Sequence, residues 1–481
     1  MQIKLQPKIY IETLMNNYTQ AICSDGRSFN IYLPSNLNGF IQTAYQDDLD
    51  QSSHHVIHLE GYCEYDEAPI CPHCGCGRMH ANIDVQSEIK HIPYGDTYTV
   101  INLTRKQYRC RKCGRTHIID VPFKGQGHNI TQDLYDFIVT RMQQGLTINA
   151  VAIEAGVHWT VVKDIHKKLL EDEYTVVDTD GKRKLIKPKQ QATLLMIDEF
   201  KLHQGHDYAT HIIDGNTGAV LWIAHGKKKQ VVYDFIEHVG SEWMSHVKTI
   251  ACDMNADYEA AFLERCPHLN IVYDHFHIVK NFNEHVVSAI RKDEQKRLCS
   301  EGKTEEAKRL KRSKYILLAN RETLEKRDSD AGKIVQKGSK MFNIPEVKRK
   351  GGRIERLNAI LDENKLLNTC ELIKETLRYC YSEAESIPEM EHELNYIIMC
   401  CEDSGNEHLL WFKDFLKRHW EGILNYQIDR VSSGKIEGIN NRIKTTRRQA
   451  YGFNDDDYFF LRIIADSHQK AIIRKNHASN K

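Results

Sequence analysis

Three acidic residues stand where regular structure starts or stops, and their surroundings suit one kind of chemistry. Asp198 closes the apolar run Thr193-Leu194-Leu195-Met196-Ile197, and Asp253 follows a second run, Val247-Lys248-Thr249-Ile250-Ala251-Cys252. Glu437 opens the helical pattern Lys435-Ile436-Glu437-Gly438-Ile439-Asn440-Asn441-Arg442-Ile443-Lys444. Carboxylates delivered by two strand tips and one helix can converge on a pair of hard divalent cations. Two such ions about 3.5–4 Å apart stabilise both the attacking and the leaving oxygen of an in-line phosphodiester displacement. Mg2+ (or Mn2+) fits, since such ions take a few carboxylates and leave other positions to water and phosphate. DNA strand transfer needs this set of groups.

Within each motif some neighbours compete. Successive strand residues face opposite ways, so Asp198 and Glu199 cannot both serve one cation pair; Asp198 is assigned and Glu199 is read as a hydrogen-bonded or exposed neighbour. On the last helix Ile436, Ile439 and Ile443 share a face that should pack inwards, and Glu437 lies at its edge, roughly 100° from Ile436. Asn441 and Lys444 follow it one and two turns on, toward DNA or a water, and Ser433 can cap the helix. A single acid is usually a surface or capping residue; the weight rests on the three contexts together. Asp274-His275-Phe276-His277 is read as the end of a strand, with Asp274 and Phe276 on one face and the histidines on the other. Asp274 and His277 could position substrate or form a satisfied structural pair, and both readings stay open.

Two Cys-x-x-Cys-Gly units, Cys71-Pro72-His73-Cys74-Gly75 and Cys110-Arg111-Lys112-Cys113-Gly114, suit a closed tetrahedral structural zinc site. The gap between them exceeds the usual ribbon spacing, so a hairpin must fill it. Cys76, His73 and His80 are read as bystanders. The other cysteines of the 14 mostly sit singly among apolar residues, as reduced core thiols do.

A third pattern runs from Thr147 to Ile165. Thr147 is a good N-cap, Ala152 allows close helix crossing, Gly156 permits a tight turn, and Val157, Val162 and Ile165 bury a second helix. This is helix-turn-helix spacing, which presents Trp159, Thr160 and Lys163 to a major groove; a plain helical hairpin is the bland alternative.

Lys+Arg and Asp+Glu both number 66, so the chain is not basic throughout. Basic residues cluster locally, at Arg105–Arg115 and at Arg442, Lys444, Arg447 and Arg448, which is enough to neutralise phosphates. At 481 residues the chain should divide into several domains. No apolar run approaches the about 18–20 residues of a membrane span, and the start lacks a signal-peptide core; a cytoplasmic protein with no membrane partner is expected. The predicted class is multidomain α+β. Residues 1–65 have no assigned role, 66–125 form the zinc-ribbon-like finger, and 126–176 the helix-turn-helix. A charged linker at 178–184 follows. Strands at 193–200, 208–213 and 219–224, then helix 229–239, strand 247–252, helix 258–264 and strand 270–273, give an RNase H-like α/β core over 190–284. An all-helical insertion fills 285–428, and closing helices carrying Glu437 fill 429–475.

The two cysteine units, Ile197-Asp198-Glu199 with Gly205-His206-Asp207-Tyr208, Asp274 through Lys280, and Gly434 through Lys444 with Arg448, Ala450, Tyr451 and Gly452 resemble bacterial insertion-sequence transposases of the ISL-three type. The resemblance covers about residues 55–470. It implies a DDE transposase in which Asp198, Asp253 and Glu437 hold two Mg2+ or Mn2+ ions, Asp198 bridging them. It further implies binding to double-stranded DNA (the element's terminal inverted repeats and the target), with Asn441, Lys444 and Arg448 near DNA. Assembly as a homodimer or larger, in a bacterial cytoplasm at the nucleoid, also follows from it. Ser433-Gly434-Lys435 departs from the family's Asn-Gly-Pro. Two other classes stay open: a domesticated zinc-finger and helix-turn-helix DNA-binding regulator, and an RNase H-like structure-selective nuclease. A domesticated relative would usually lose one of the three acids, and all three are here.

Overall fold

The computed structural model describes residues 9–12, 19–22, 28–31, 37, 39–51, 53–63, 69–336, 347–348, 350–431, 434–449 and 454–479. The chain divides into two compact units, Met1–Lys184 and Leu185–Lys481.

The first unit is built on an eight-stranded sheet. Its strands are β1 (Ile9–Glu12), β2 (Thr19–Ile22), β3 (Ser28–Ile31), β4 (Phe40–Leu49), β5 (His55–Cys63), β6 (Met79–Tyr94), β7 (Thr97–Cys110) and β8 (Thr116–Ile118), in the order β3-β2-β1-β4-β5-β7-β6, with β8 also on β7. Five of these strands, β1 to β5, fall within residues 1–65, which carry no assigned role. β6 and β7 form the hairpin that the spacing between the cysteine pairs demands, turning at Gly95, whose φ of +60° suits a two-residue loop. Leu59, Ile89, Ile101, Leu103, Val121 and Phe123 are the sheet's buried core.

Three helices follow: α1 (Gln132–Gln143), α2 (Ile148–Ala155) and α3 (Trp159–Tyr174). Thr147 Oγ1 caps α2 by accepting from the Ala150 N–H at 3.2 Å, as its sequence position predicts. Gly156 ends α2 with φ +63°, the left-handed conformation that glycine adopts without strain. Leu134, Ile138, Val151, Ala152, Ala155, Val162 and Ile165 pack together at the centre. The helices are seated on the hairpin: Tyr98 Oη donates to Ile153 O at 2.7 Å and Lys90 Nζ to Gly156 O at 2.6 Å. The charged 178–184 segment is the turn of a short ribbon, β9 (Thr175–Val177) with β10 (Arg183–Leu185).

The second unit contains β11 (Leu194–Lys201), β12 (Tyr208–Asp214), β13 (Val220–His225), α4 (Lys229–Val239), α5 (Ser241–Met244), β14 (Thr249–Cys252), α6 (Ala256–Arg265) and β15 (Asn270–Tyr273). The sheet order is β13-β12-β11-β14-β15, antiparallel from β13 to β11 and parallel from β11 to β15. Leu195, Met196 and Ile197 are all buried, as a central strand covered on both faces requires. The β12–β13 turn is tied by Asp214, whose carboxylate accepts from Asn216 N at 2.8 Å and Thr217 Oγ1 at 2.7 Å.

One expectation is corrected here. Asp274 to His277 is not strand: β15 ends at Tyr273, and Asp274 caps α7 (His275–Asn281), its Oδ1 accepting from Phe276 N at 3.0 Å. An aspartate that bonds its own backbone two residues on favours a helix start over an extended chain. Asp274 and His277 therefore share a helical side instead of opposing each other.

Helices continue through α8 (Ser288–Ser300), α9 (Thr304–Lys311), α10 (Lys314–Leu317), α11 (Arg321–Ser329), α12 (Arg353–Glu363), α13 (Lys365–Ser382), α14 (Ile387–Ser404), α15 (Glu407–Arg418) and α16 (Trp420–Leu424). This segment is not wholly helical: Ile334–Gln336 pairs antiparallel with Val347–Lys348. Its leucines, cysteines and aromatics run into one hydrophobic core with the sheet and with α4 and α6. Gly422 on α16 is required for that packing, because a Cβ there would lie 2.3 Å from the ring of Tyr273. Last come α17 (Gly434–Gln449) and α18 (Asp456–Ser479). α18 closes the outer strand: Ser467 Oγ accepts from Val220 N at 2.9 Å, and Phe459 meets Phe200 edge-on.

Candidate active site

The strand register brings three carboxylates level. Met196 on β11 pairs with Ala251 on β14, and Ala251 pairs with Val272 on β15. Two residues on from each lie Asp198, within β11, Asp253, just past β14, and Asp274, just past β15. They surround a small cleft lined also by Ile197, Cys252, Tyr273, His277, Val431 and Ile436.

Each group is held by named partners. Asp198 Oδ1 accepts from the Glu199 N–H at 2.8 Å, and its Oδ2 accepts from Asn440 Nδ2 at 2.6 Å. His277 stands between the other two acids, with Nδ1 3.7 Å from Asp253 and Nε2 3.9 Å from Asp274. Burial pushes the Asp198 carboxyl above its ordinary range; the Glu199 N–H and the Asn440 amide pull it back, and the charge on Asp253 adds to the rise. Glu199 is raised too, by burial first and then by Asp253 and Asp198, and Tyr258 Oη reaches it at 3.4 Å. It is a hydrogen-bonded neighbour, one of the two readings the sequence left for it.

Glu437 lies on α17 between two residues that touch this cleft: Ile436 lines it and Asn440, one turn on, bonds Asp198. The Glu437 side chain itself is exposed. Asp198, Asp253 and Glu437 do not, among the described residues, bring ligand oxygens within 4.8 Å of one another. α17 is tethered at both ends. Lys435 Nζ donates to Gly215 O at 2.6 Å and Asn216 O at 2.7 Å, and Arg447 donates to Lys201 O at 2.9 Å. Lys435 thereby fastens the helix to the β12–β13 turn. Asn441, Lys444 and Arg448 are exposed on the same helix. Ser433, Ala450, Tyr451 and Gly452 lie outside the described residues. Asn440 was missed in the sequence, although it stands four residues after Ile436 and three before Ile443, a polar side chain on a buried stripe.

In the first unit the four expected sulfurs do meet. Cys71, Cys74, Cys110 and Cys113 bring their Sγ atoms within 4.8 Å of one another, with Cys71–Cys113 and Cys74–Cys110 both at 3.7 Å. Zinc–sulfur bonds of about 2.3 Å in a tetrahedron put sulfurs about 3.8 Å apart, so the cluster fits a structural zinc ion. The two knuckles match: Gly75 N donates to Cys71 O at 2.9 Å and Gly114 N to Cys110 O at 3.0 Å, with φ of +66° and +71° at the glycines. Backbone N–H groups, first that of Cys113, pull the Cys110 thiol down; at Cys74 the pull of the Cys76 N–H is outweighed by desolvation and by contacts with the other three sulfurs, which push that thiol up. His73 pairs with Arg115 outside the cluster; His117 Nε2 lies 3.7 Å from Cys71 Sγ, a neighbour the spacing did not point to. On α3, Trp159 is exposed at the first turn, and Thr160 and Lys163 are partly buried.

Sheet, cleft and cysteine cluster correspond to two known profiles. One, described as a transposase domain, matches residues 195–463, and the other, the zinc-finger of transposases of IS204, IS1001, IS1096 and IS1165, matches residues 67–113. The chain belongs to the ISL3 family of transposases. It is 26% identical over 398 residues to the transposase for insertion sequence element IS1001 of Bordetella parapertussis, covering 82% of this chain and 88% of that one. It is also 24% identical over 407 residues to the transposase for IS1557 of Mycobacterium tuberculosis, covering 79% and 82%. The family implies an enzyme that cuts or transfers DNA and therefore binds it. No helix among the described residues is long and apolar enough to cross a membrane.

Proposed function

We propose that the protein cuts and joins DNA at the terminal inverted repeats of its own element. Asp198, Asp253 and Glu437 are the acids that hold the divalent cations in this reading. The observation that carries it is the level register of Asp198, inside β11, with Asp253, just past the end of the adjacent β14, and the bond from Asn440 on the helix of Glu437 to Asp198. The sheet order supports an RNase H-like core. The donor set fits hard cations: carboxylate oxygens around a cleft, with Asn440, whose buried Oδ1 has no hydrogen-bond partner, bonded to one of them through its Nδ2. When bound, Mg2+ or Mn2+ would supply an activated water and stabilise the leaving 3′ oxygen.

The chain's own residues do the rest. The Glu199 N–H and the Asn440 amide fix Asp198. His277 lies between Asp253 and Asp274, within 4 Å of each. Lys444 and Arg448 lie exposed on α17, where phosphates can be neutralised. Trp159, Thr160 and Lys163 open α3, the helix that in a helix-turn-helix enters the major groove, and the zinc hairpin carries that unit. The reactive assembly is a homodimer or larger, which brings two element ends together.

The test incubates labelled element ends and a plasmid with the protein and Mg2+. Joined product is expected, and Asp198→Ala, Asp253→Ala or Glu437→Ala should abolish it while end binding persists. Metal-dependent joining by Asp198→Ala would refute the assignment. Cut but unjoined ends would mark a nuclease, and binding without cutting a regulator.

A further inference from the structure

Asn440 meets Asp198 on terms that a merely structural contact does not explain. Its Nδ2 donates to Asp198 Oδ2 at 2.6 Å, linking residues 242 positions apart. The reverse orientation would set the amide oxygen against a carboxylate oxygen, so the donor must face Asp198. That leaves Oδ1 shut away from solvent with no hydrogen-bond partner. A buried acceptor without a partner destabilises a fold and is retained only where something offsets it. Asn440 also stands three residues after Glu437, on the same side of α17, so the bond fixes which way that helix turns. The tethers at Lys435 and Arg447 reach only backbone carbonyls; Asn440 alone among the three touches an acid of the cleft.

We propose that Asn440 is a positioning residue for the cations, orienting Asp198 through its amide N–H while its Oδ1 adds a neutral oxygen to the donor set. The inference rests on the reading of Asp198 as a cation-holding group. Groups that orient metal ligands typically change metal affinity about 10–100-fold when removed.

The experiment titrates Mn2+ into the full-length, zinc-loaded protein by calorimetry, without DNA. Asn440→Ala should weaken Mn2+ binding at least 10-fold. Asn440→Asp keeps an oxygen but loses the donor, and should also fall below the parent. Lys435→Ala, which loosens the same helix without touching Asp198, should leave Mn2+ affinity unchanged while lowering the melting temperature. Parent-like Mn2+ affinity in Asn440→Ala, or an equal loss in Lys435→Ala, would overturn the proposal. Asp198→Ala is the separate control: if it too binds Mn2+ like the parent, the cation reading of the cleft itself is what fails.

Discussion

Substituting Gly156 by alanine probes how firmly the three-helix unit is seated on the zinc hairpin. Two penalties can be worked from the geometry. At φ +63° the residue is left-handed, which costs a side-chain-bearing residue about 1–2 kcal/mol. A Cβ at this position would also lie 2.6 Å from the Tyr98 ring. The cheaper escape is for the ring to swing outwards. It would then lose its 2.7 Å bond to Ile153 O and its contact with the His54 ring at 5.3 Å, together about 1–2 kcal/mol. The sum is about 2–4 kcal/mol, which at about 1.4 kcal/mol per decade is roughly a 30- to 1000-fold drop in protection. Two-unit chains need not melt in one step, so the measurement is hydrogen exchange of peptides from 148–155. Tyr98→Ala alone should cost about 1–2 kcal/mol for the same lost contacts. The double variant should therefore equal Gly156→Ala and not the sum, since the ring is forfeited only once. Strict additivity, or protection within threefold of the parent for Gly156→Ala, would refute this seating.

Acid and base should move the stability of the cation-free protein in a defined direction. Asp198 and Glu199 are raised in the folded chain, so their stabilising share is present below the ordinary carboxylate pKa and is lost as pH rises through the raised values. In chelator the melting temperature of the second unit should fall over that rise; Asp198→Asn should flatten the slope, and Mn2+ should restore the parent but not the variant. Cys113→Ala should reduce bound zinc from about one ion per chain to almost none, as one of four ligands is gone, and zinc release measured with a chromogenic chelator checks it. Trp159→Ala should weaken binding to element ends in an electrophoretic shift without changing Mn2+ affinity, because it lies on α3 of the first unit.

Much of the second unit could be read from residues alone. Helix 229–239 and strand 270–273 fall where periodicity put them, and the other core strands start or stop within two residues. Short apolar runs between turn residues carry that information locally. The N-terminal strands could not be found this way: β5 lies parallel to β7, and β4 pairs on its other side with β1, so their placement depends on distant partners. Asp274 was misjudged because a strand's last residue and a helix cap have the same composition, and only the backbone N–H of Phe276 decides between them. Asn440 was passed over for Asn441 because helix phase had been fixed on three isoleucines. Ile439 and Asn440 are both partly buried, and between the buried Ile436 and Ile443 it is Asn440 that reaches Asp198.

The 242-residue span between Asp198 and its amide partner also has a temporal meaning. During synthesis the sheet emerges early, whereas the helix that meets it is made only after the whole run from α7 to α16. A chain ended anywhere in that run would hold the four clustered cysteines but lack α17, and with it Glu437 and the Asn440 bond to Asp198.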